Sequence, residues 1–571
     1  LSDAGSGDRV IEGPTGPRVL RDAVRTQWRD VTASAVLASG HQVGETLVPV
    51  LIGLAVDRAL APGDGRALLL WLAVLALVYF MLSWSFRLGA MAGERAGARA
   101  AHRLRMALVE RVLDPRGGAE DGRLPGALAT IATEDARRVG AVNVALFAGI
   151  AALVGIAVAA VVLLRISLPL GLLVLLGTPA LLAAGHLLSK PLERRSHAEQ
   201  ERAARASAVA VDLVGGLRVL KGIGAEPAAV ARYRATSGAS LAATLRAARA
   251  EAAQNGTVLA LTGVFIAVVA LIGGRLAAAG DIGLGELVTA VGLALLLLGP
   301  LQVLSWVTTE LAQARASAAR IAAVLAAPAA VPAGTAAPPH PVHGRLRLTG
   351  VTSGPLDGVD LDVAPGELLG VVAAPADAAA LLRCLARQAD PDSGTVELDG
   401  VALSALDPGE VRRAILVAPH DADLFEGTLL DNVTAAVPTD ARTNARTDPG
   451  KALLAAAADD IAADAPVGEH GRALSGGQRQ RAALARALAA DSPVLVLHDP
   501  TTAVDAVTEA RIADGLRALR DGRTTLVVTT SPALLAATDR VVLLEGGRLT
   551  DTAAHTDLVH RNDAYRTAVL A

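Results

Sequence analysis

A single cysteine, Cys384, stands in 571 residues, so no disulfide can close within the chain and the thiol content carries no record of a redox compartment. Aromatic residues make up 2%, which leaves the apolar content to alanine, leucine, valine and glycine. Lysine is confined to Lys190, Lys221 and Lys451 while arginine is abundant; with the alanine excess this points to a GC-rich bacterial genome. Charged residues are also scarce, at 19%, and the formal net charge of −3 gives no electrostatic case for nucleic acid. What is plentiful is hydrophobic: 52% of residues, with a mean hydropathy of +0.44. Such a chain is neither disordered nor fibrous and differs from an ordinary soluble enzyme. Its length suits two or three domains of roughly 100–200 residues each.

The long apolar runs fall in the front half, at about 67–88, 139–164, 167–188, 256–279 and 284–307. A sixth, about 32–58, is interrupted by His41, Gln42 and Glu45. Each approaches the roughly 20 residues that cross a bilayer as helix. Their connections alternate: 59–66, 165–166 and 280–283 are short, whereas 89–138 and 189–255 are long, helix-compatible and rich in arginine. Lys190, Arg194 and Arg195 belong to the second of these. Positive charge marks the cytoplasmic side, so six spans with both termini cytoplasmic are expected. Turn residues at Asp114-Pro115 with Gly117-Gly118, and at Gly222-Ile223-Gly224, make elbows between descending and ascending arms. The stretch 17–29, with Arg18, Arg21, Arg25 and Arg29, reads either as a helix along the inner membrane surface or as a solvated one. His41 and Glu45 share a helix face near mid-span, where polar groups line a substrate pathway or hold the bundle together.

These features set a transmembrane domain over 1–325, and the Ala/Pro/Val/Gly segment 326–343 reads as a linker. From 344 to 571, short Val/Leu runs (Leu368–Val372, Ala414–Val417, Val494–Leu497, Thr525–Val528, Arg540–Leu544) alternate with alanine-rich helical stretches, the pattern of a mainly parallel α/β sheet. Within it, Leu474-Ser475-Gly476-Gly477-Gln478 opens a helical run. Two glycines, a hydroxyl and a helix N-terminus together suit the terminal phosphate of a nucleotide. The strand Val494–Leu497 follows, with His498-Asp499-Pro500-Thr501-Thr502-Ala503-Val504-Asp505 at its carboxyl end.

At these residues the chain resembles the ATP-binding cassette (ABC) transporters, in particular half-transporters of the exporter fold, over essentially its whole length. Leu474–Gln478 resembles the ABC signature, Val467-Gly468-Glu469-His470-Gly471 the exporter X-loop, and Thr502–Asp505 the D-loop. Gly285–Val288, Gly299–Leu301 and Ala316–Ile321 are similar to the family's sixth span and its exit. The resemblance implies a six-helix all-α transmembrane domain, an α/β nucleotide-binding domain, and a dimer with two ATP sites. Each site is built from one chain's phosphate loop and the other chain's signature.

The chain departs from that pattern where it should hold ATP itself. A Gly-x-x-x-x-Gly-Lys-Ser/Thr loop belongs after Leu368–Val372, but the residues are Ala373-Ala374-Pro375-Ala376-Asp377-Ala378-Ala379-Ala380. Ala379 stands in place of the phosphate-binding lysine and Ala380 in place of the magnesium-binding hydroxyl, while Asp377 adds negative charge near the expected triphosphate. His498 takes the magnesium-linked aspartate position and Asp499 the catalytic glutamate position. His420, in Pro419-His420-Asp421, replaces the Q-loop glutamine and Thr530 the switch histidine, and no aromatic is left around Leu348–Val359 to stack on adenine. No metal site is expected of these residues.

An intact donor beside a lost receiver implies the non-hydrolysing half of a heterodimeric transporter. It would lend Leu474, Ser475, Gly476, Gly477 and Gln478, with Asp505, to ATP and Mg2+ held by a partner half that keeps its phosphate loop and glutamate. The expected setting is the bacterial inner membrane, and the expected cargo a lipophilic compound, lipid or peptide moving outward. A siderophore importer on the same fold, a homodimeric exporter, and a non-transporting membrane scaffold are the alternatives.

Overall fold

The computed structural model describes residues 14–420, 423–437 and 448–570; the side chains of 185–198, among them Lys190, Arg194 and Arg195, lie outside the described residues. The chain divides into two compact units, one running up to Val109 and over Leu124–Ala326, the other combining Glu110–Arg123 with the chain from Ala327 onward.

The first unit is helical: α1 (Gly16–Arg25), α2 (Trp28–Ala55), α3 (Gly65–Val112), α4 (Pro125–Thr130), α5 (Ala136–Ile166), α6 (Leu168–Gly215), α7 (Leu217–Gly222), α8 (Glu226–Ala279), α9 (Leu284–Leu296) and α10 (Leu298–Leu325). Among the described residues, four helical stretches, Gly65–Val112, Pro125–Ile166, Glu226–Ala279 and Leu284–Leu325, are long and apolar enough to cross a membrane, and Leu168–Ala184 is a shorter apolar one. α2 is not among them, in keeping with its His41-Gln42 and Glu45 interruption. Outward-facing Leu69, Phe80 and Met81 on α3 are more than half exposed, as lipid-facing side chains are in a protein taken out of its bilayer.

Small residues set the helix contacts. Gly97 and Gly140 bring α3 and α5 into backbone contact, and the Ser34 hydroxyl donates to the Gly89 carbonyl at 2.6 Å. With lipid on the outside, close backbone approach and hydrogen bonds between helices supply the association. A polar knot joins the residue just before α5 to α10. The carboxylate of Asp135, 3% exposed, accepts from Ser317 Oγ at 2.9 Å and from Arg320 Nε and Nη2 at 2.7 and 2.6 Å. α1 buries Val19 and Ala23 and keeps its arginines outside.

The second unit holds two sheets. Strands β1 (Leu346–Ser353), β2 (Leu356–Val363), β4 (Ser393–Leu398) and β5 (Val401–Ala402) form an antiparallel sheet in the order β2-β1-β4-β5. Strands β3 (Leu368–Ala373), β6 (Ile415–Ala418), β7 (Val494–His498), β8 (Thr524–Val528), β9 (Arg540–Glu545) and β10 (Arg548–Ala553) form the other, in the order β10-β9-β3-β8-β7-β6. That sheet is parallel except for β10. Its central strands are buried on both faces, as parallel strands under helices must be. Around it lie α11 (Pro375–Leu385), α12 (Pro408–Ala414), α13 (Leu429–Thr434), α14 (Pro449–Ala455), α15 (Gly476–Ala489), α16 (Ala506–Leu519) and α17 (Pro532–Ala536).

The segment expected as a linker is hydrogen-bonded to neighbouring chain, like a strap. Arg111 donates to the carbonyls of Gly117, Ala327 and Pro328, and the amides of Ala330 and Val331 both donate to the Arg116 carbonyl. Further along, the fully buried Arg387 reaches the Pro332 carbonyl at 2.8 Å and the Ala336 amide bonds to Ala405. The first elbow thus packs with the strap in one unit. Its Asp114 carboxyl is pulled down to about 2 by the hydrogen bond from Arg116.

Candidate functional site: a strand-end surface and a signature turn

Most positions singled out in the sequence lie where a parallel sheet places ligands, beyond the carboxyl ends of its strands. Ala379 and Ala380 follow β3, His420 follows β6, His498 closes β7 and is followed by Asp499, and Thr530 follows β8.

The junction after β3 is short. β3 ends at Ala373 and α11 begins at Pro375, so Ala374 alone separates strand from helix. A phosphate loop needs several glycine-permitted turns there to aim backbone N–H groups inward; here the chain goes straight into helix, and Pro375 at the first helical position has no N–H to offer. Ala379 sits exposed on that helix, with a methyl group where a phosphate site needs a cation.

Asp377 corrects one expectation. It does not face a triphosphate position: it is 5% exposed, and its Oδ2 accepts from the Gly547 amide at 3.2 Å in the turn between β9 and β10. The positive end of the α11 dipole is therefore met by the chain's own carboxylate.

His420, His498 and Asp499 are brought together. The two imidazole centroids lie 6.1 Å apart, His420 Nδ1 is 3.3 Å from the Asp499 carbonyl oxygen, and His498 Nε2 is 3.7 Å from Asp499 Oδ2. Asp499 adopts φ +45°, a left-handed conformation uncommon outside glycine. Asp421 lies outside the described residues. No group of three or more metal-ligating side chains forms among the described residues. At the positions after β3 where a lysine and a hydroxyl would meet a triphosphate and Mg2+, the chain carries Ala379 and Ala380. Thr530 is exposed at the end of β8, and the neighbouring Thr529 amide donates to Val371.

The signature is built differently. Ser475 is the N-cap of α15: its Oγ accepts from the Gln478 amide at 3.2 Å, while Gln478 Oε1 accepts from the Ser475 amide at 3.0 Å. This reciprocal box fixes the helix start and leaves Ser475 and Gly476 exposed. Gly477 is required by packing, since a Cβ there would stand 2.7 Å from the Ala503 carbonyl oxygen. Leu474 is half-buried behind the turn.

One functional side chain was not picked out from the sequence. Gln480 donates through Nε2 to Thr502 Oγ1 at 2.6 Å and accepts the Ala503 amide on Oε1 at 2.7 Å. It locks the signature helix to the segment after β7; its place one turn into the motif helix was the available signal. Asp505 then caps α16, accepting from the amides of Val507 and Thr508 at 3.1 and 3.0 Å, and those backbone bonds, Thr508 first, hold its carboxyl below the usual range. A cavity of about 380 Å³ has His420 and His498 on one side and Gly476, Arg479 and Gln480 on the other, whereas Ala379, Ala380 and Thr530 lie outside it.

In the first unit, His41 Nε2 and Glu45 Oε2 lie 3.9 Å apart, and each side chain also bonds a neighbour of its own. His41 Nδ1 donates to the Leu82 carbonyl at 2.9 Å, with its ring centroid 5.0 Å from Phe86. Glu45 Oε2 accepts from Gln42 Nε2 at 2.9 Å, and Gln42 and Glu45 both line a separate open cavity.

Comparison with known proteins agrees with this architecture. A family model described as the ABC transporter transmembrane region matches residues 31–301, and one described as ABC transporter matches 356–502. The chain is 32% identical over 409 residues to the ATP-dependent lipid A-core flippase of Thiobacillus denitrificans, covering 69% of this chain and 70% of that protein. It is also 32% identical over 566 residues to a multidrug efflux ATP-binding/permease protein of Mycobacterium tuberculosis, covering 96% of this chain and 46% of that protein, and so spans about half of that relative's length. Among solved structures, a bacterial Atm1-family ABC exporter with ATP bound superposes with a TM-score of 0.72 at 23% identity, over 96% of this chain and 99% of that one. The chain belongs to the ABC transporters, as a multi-pass half-transporter of the exporter fold with a helical transmembrane domain followed by an α/β nucleotide-binding domain.

Proposed function

We propose that this chain is the non-hydrolysing half of a heterodimeric, ATP-driven exporter in a bacterial inner membrane. The observation that carries the reading is the contrast between its two helix starts. The strand-to-helix junction at Ala374 leaves no loop for a triphosphate, whereas the signature turn is capped, glycine-lined and exposed. Two copies of the chain would pair two such junctions with two signatures. A partner half with an intact phosphate loop, catalytic glutamate and switch histidine would instead give one working site. ATP and Mg2+ would be held there by the partner and closed over by Ser475, Gly476, Gly477 and Gln478 of this chain.

The relatives support the reading. The chain spans less than half of the multidrug efflux protein it resembles, as one half of a two-half transporter would. In this proposal residues 1–325 make six spans with both termini cytoplasmic, and 344–571 make the nucleotide-binding domain. Closure of the two nucleotide-binding domains would travel through the elbows, the first of which is strapped to 327–331 by Arg111 and Arg116. The cargo, by analogy with relatives named as lipid A-core flippase and multidrug efflux protein, is lipophilic.

The test is ATPase activity of the complex recovered with the tagged chain. Ser475→Arg or Gly477→Asp should lower it on the order of 100-fold, the scale of losing preorganised donors at a developing charge. Asp499→Asn should leave most of it. Comparable losses from both kinds of substitution, or brisk magnesium-dependent ATPase by the chain alone, would refute the assignment.

A further inference from the structure

The cavity of about 380 Å³ beyond the ends of β6 and β7 falls within the size range of small-molecule sites. Its lining is basic. His420 and His498 come from the strand ends, Arg479 from the start of α15, and His470 from the turn before that helix. Among the described residues, Asp423 is the acidic side chain on the lining, and it lies 3.3 Å from His470 Nδ1, so a neighbour answers its charge. The Asp499 carboxylate stands 3.7 Å from His498 Nε2 but is not on the lining.

Arg479 has no internal counter-charge. Among the described residues its guanidinium has neither an ion-pair nor a hydrogen-bond partner, whereas Arg481, two residues on, is held by Asp460 and the Ala457 carbonyl. Its stem is nonetheless seated: an added Cβ at Gly471 would stand 2.8 Å from Arg479 Cδ. The imidazoles opposite are also placed, with centroids 6.1 Å apart, edge to face, and His420 Nδ1 is 3.3 Å from the Asp499 carbonyl oxygen. At these two strand ends the family pattern expects a magnesium-linked carboxylate and a glutamine, and the chain carries two histidines. Ligands for a cation have thus been exchanged for donors to an anion. A guanidinium grips an oxyanion as a two-pronged fork, and an imidazole offers one N–H when neutral and a full charge when protonated.

We infer that this cavity binds a compact multivalent oxyanion of the diphosphate class, held between Arg479 and the His420–His498 pair. The guanidinium takes two oxygens from one side and the imidazoles take oxygens from the other. Recognition stops at the phosphates. Ala379, Ala380 and Thr530 lie outside the cavity, and neither tryptophan, tyrosine nor phenylalanine lines it to stack a base, so a nucleoside gains nothing over the bare diphosphate. Seated there, the ligand ties the ends of β6 and β7 to the signature helix. Every group involved belongs to this chain, so the inference does not depend on the heterodimer reading.

Equilibrium dialysis of the full chain in lipid nanodiscs against radiolabelled inorganic pyrophosphate, with EDTA present and ATP absent, tests it. Uptake by empty nanodiscs is subtracted. The expected result is saturable binding that survives EDTA and that ADP displaces no better than unlabelled pyrophosphate does. Arg479→Gln should weaken the affinity at least about tenfold, the scale of a hydrogen bond to a charged group. His498→Asp, which returns a carboxylate to the strand end, should do the same. Arg472→Gln removes the same charge from a side chain that is 77% exposed and off the lining, and should leave the affinity within about twofold. If His498→Asp fails to fold, the exposed Arg479 decides the matter. No saturable binding, binding that EDTA abolishes, or equal losses in Arg479→Gln and Arg472→Gln overturns the inference. Displacement by ADP at a tenth of the pyrophosphate concentration also overturns it, by showing a nucleotide site. Neither ATP nor a partner half takes part, so this proposal and the ATPase proposal can fail separately.

Discussion

The α11 and α15 helices start from the same physics and end with opposite uses. Each N-terminus carries the partial positive charge of a helix dipole and a first turn of N–H groups without helical partners. At α11 the entry residue is Ala374, with no capping side chain, Pro375 removes a donor, and Asp377 brings a buried carboxylate to the first turn. At α15 a serine box satisfies the amides of Ser475 and Gln478, two glycines keep side chains out of the way, and no acidic residue enters the first turn. One dipole end is answered internally and the other is presented to solvent. What separates a closed helix start from an open one here is a proline, one carboxylate and the glycines.

That comparison can be broken from either side. The largest effect on stability is expected from Asp377→Ala, which leaves the Gly547 amide without its acceptor in a buried place and takes the charge from the α11 dipole. Together these should cost about 2–3 kcal/mol. The thermal midpoint of the purified chain should fall by several degrees, since about 1 kcal/mol moves a domain of this size by roughly 2–4 °C. ATPase activity of the complex should stay unchanged. A loss of activity without a loss of stability would mean that the α11 start does take part in nucleotide handling.

Next in size is Gln480→Ala. It removes two hydrogen bonds, to Thr502 Oγ1 and from the Ala503 amide, worth about 1–2 kcal/mol in sum. Here the signature is no longer locked to the segment after β7, so ATPase of the complex should drop roughly tenfold, about the rate equivalent of 1.4 kcal/mol. Gln480→Glu keeps the acceptor for Ala503 and loses the donor to Thr502, and should fall between. If neither variant changes turnover, the presented helix start does not depend on that lock.

How much of this was legible beforehand follows the kind of signal each element carries. The parallel strands were, because burial on both faces makes them continuous apolar runs: Leu368–Val372 and Val494–Leu497 each match an observed strand to within one residue. The antiparallel sheet was not. β1 and β2 alternate apolar residues with Arg347, Asp360 and Asp362, and such half-exposed strands do not stand out as runs. Asp377 was misplaced because a carboxylate in a failed phosphate loop looks like charge aimed at phosphate, whereas its acceptor role depends on Gly547, 170 residues away. The composition of 326–343 marks a linker, but not the hydrogen bonds along it, which are made by backbone carbonyls and amides that composition does not record. His41 and Glu45 share a face by helical spacing, and their side chains approach to 3.9 Å, but each also takes a partner that spacing does not show: Leu82 on α3 for the histidine and Gln42 for the glutamate.

The smallest expected effect belongs to a residue outside both helix starts, and for that reason it supplies the control. His555 Nδ1 lies 2.8 Å from the hydroxyl of Tyr565, which is fully buried and whose phenol is pushed up to about 12 by that burial. Burial also lowers the His555 imidazole below its ordinary 6.5. In the unfolded chain the ring would titrate near 6.5, so as pH falls through that value the unfolded state binds the proton first. Stability from this group is therefore full above the unfolded value, declines as pH is lowered from there to the depressed folded value, and is level below it. His555→Gln removes the term, so the difference in thermal midpoint between wild type and variant should vary with pH below about 6.5 and be constant above it. ATPase of the complex at neutral pH should not change. A pH-independent difference would show that the imidazole is not held neutral by the fold, and a drop in turnover would show that general loosening of the domain, rather than the presented helix start, explains the losses predicted for Gln480.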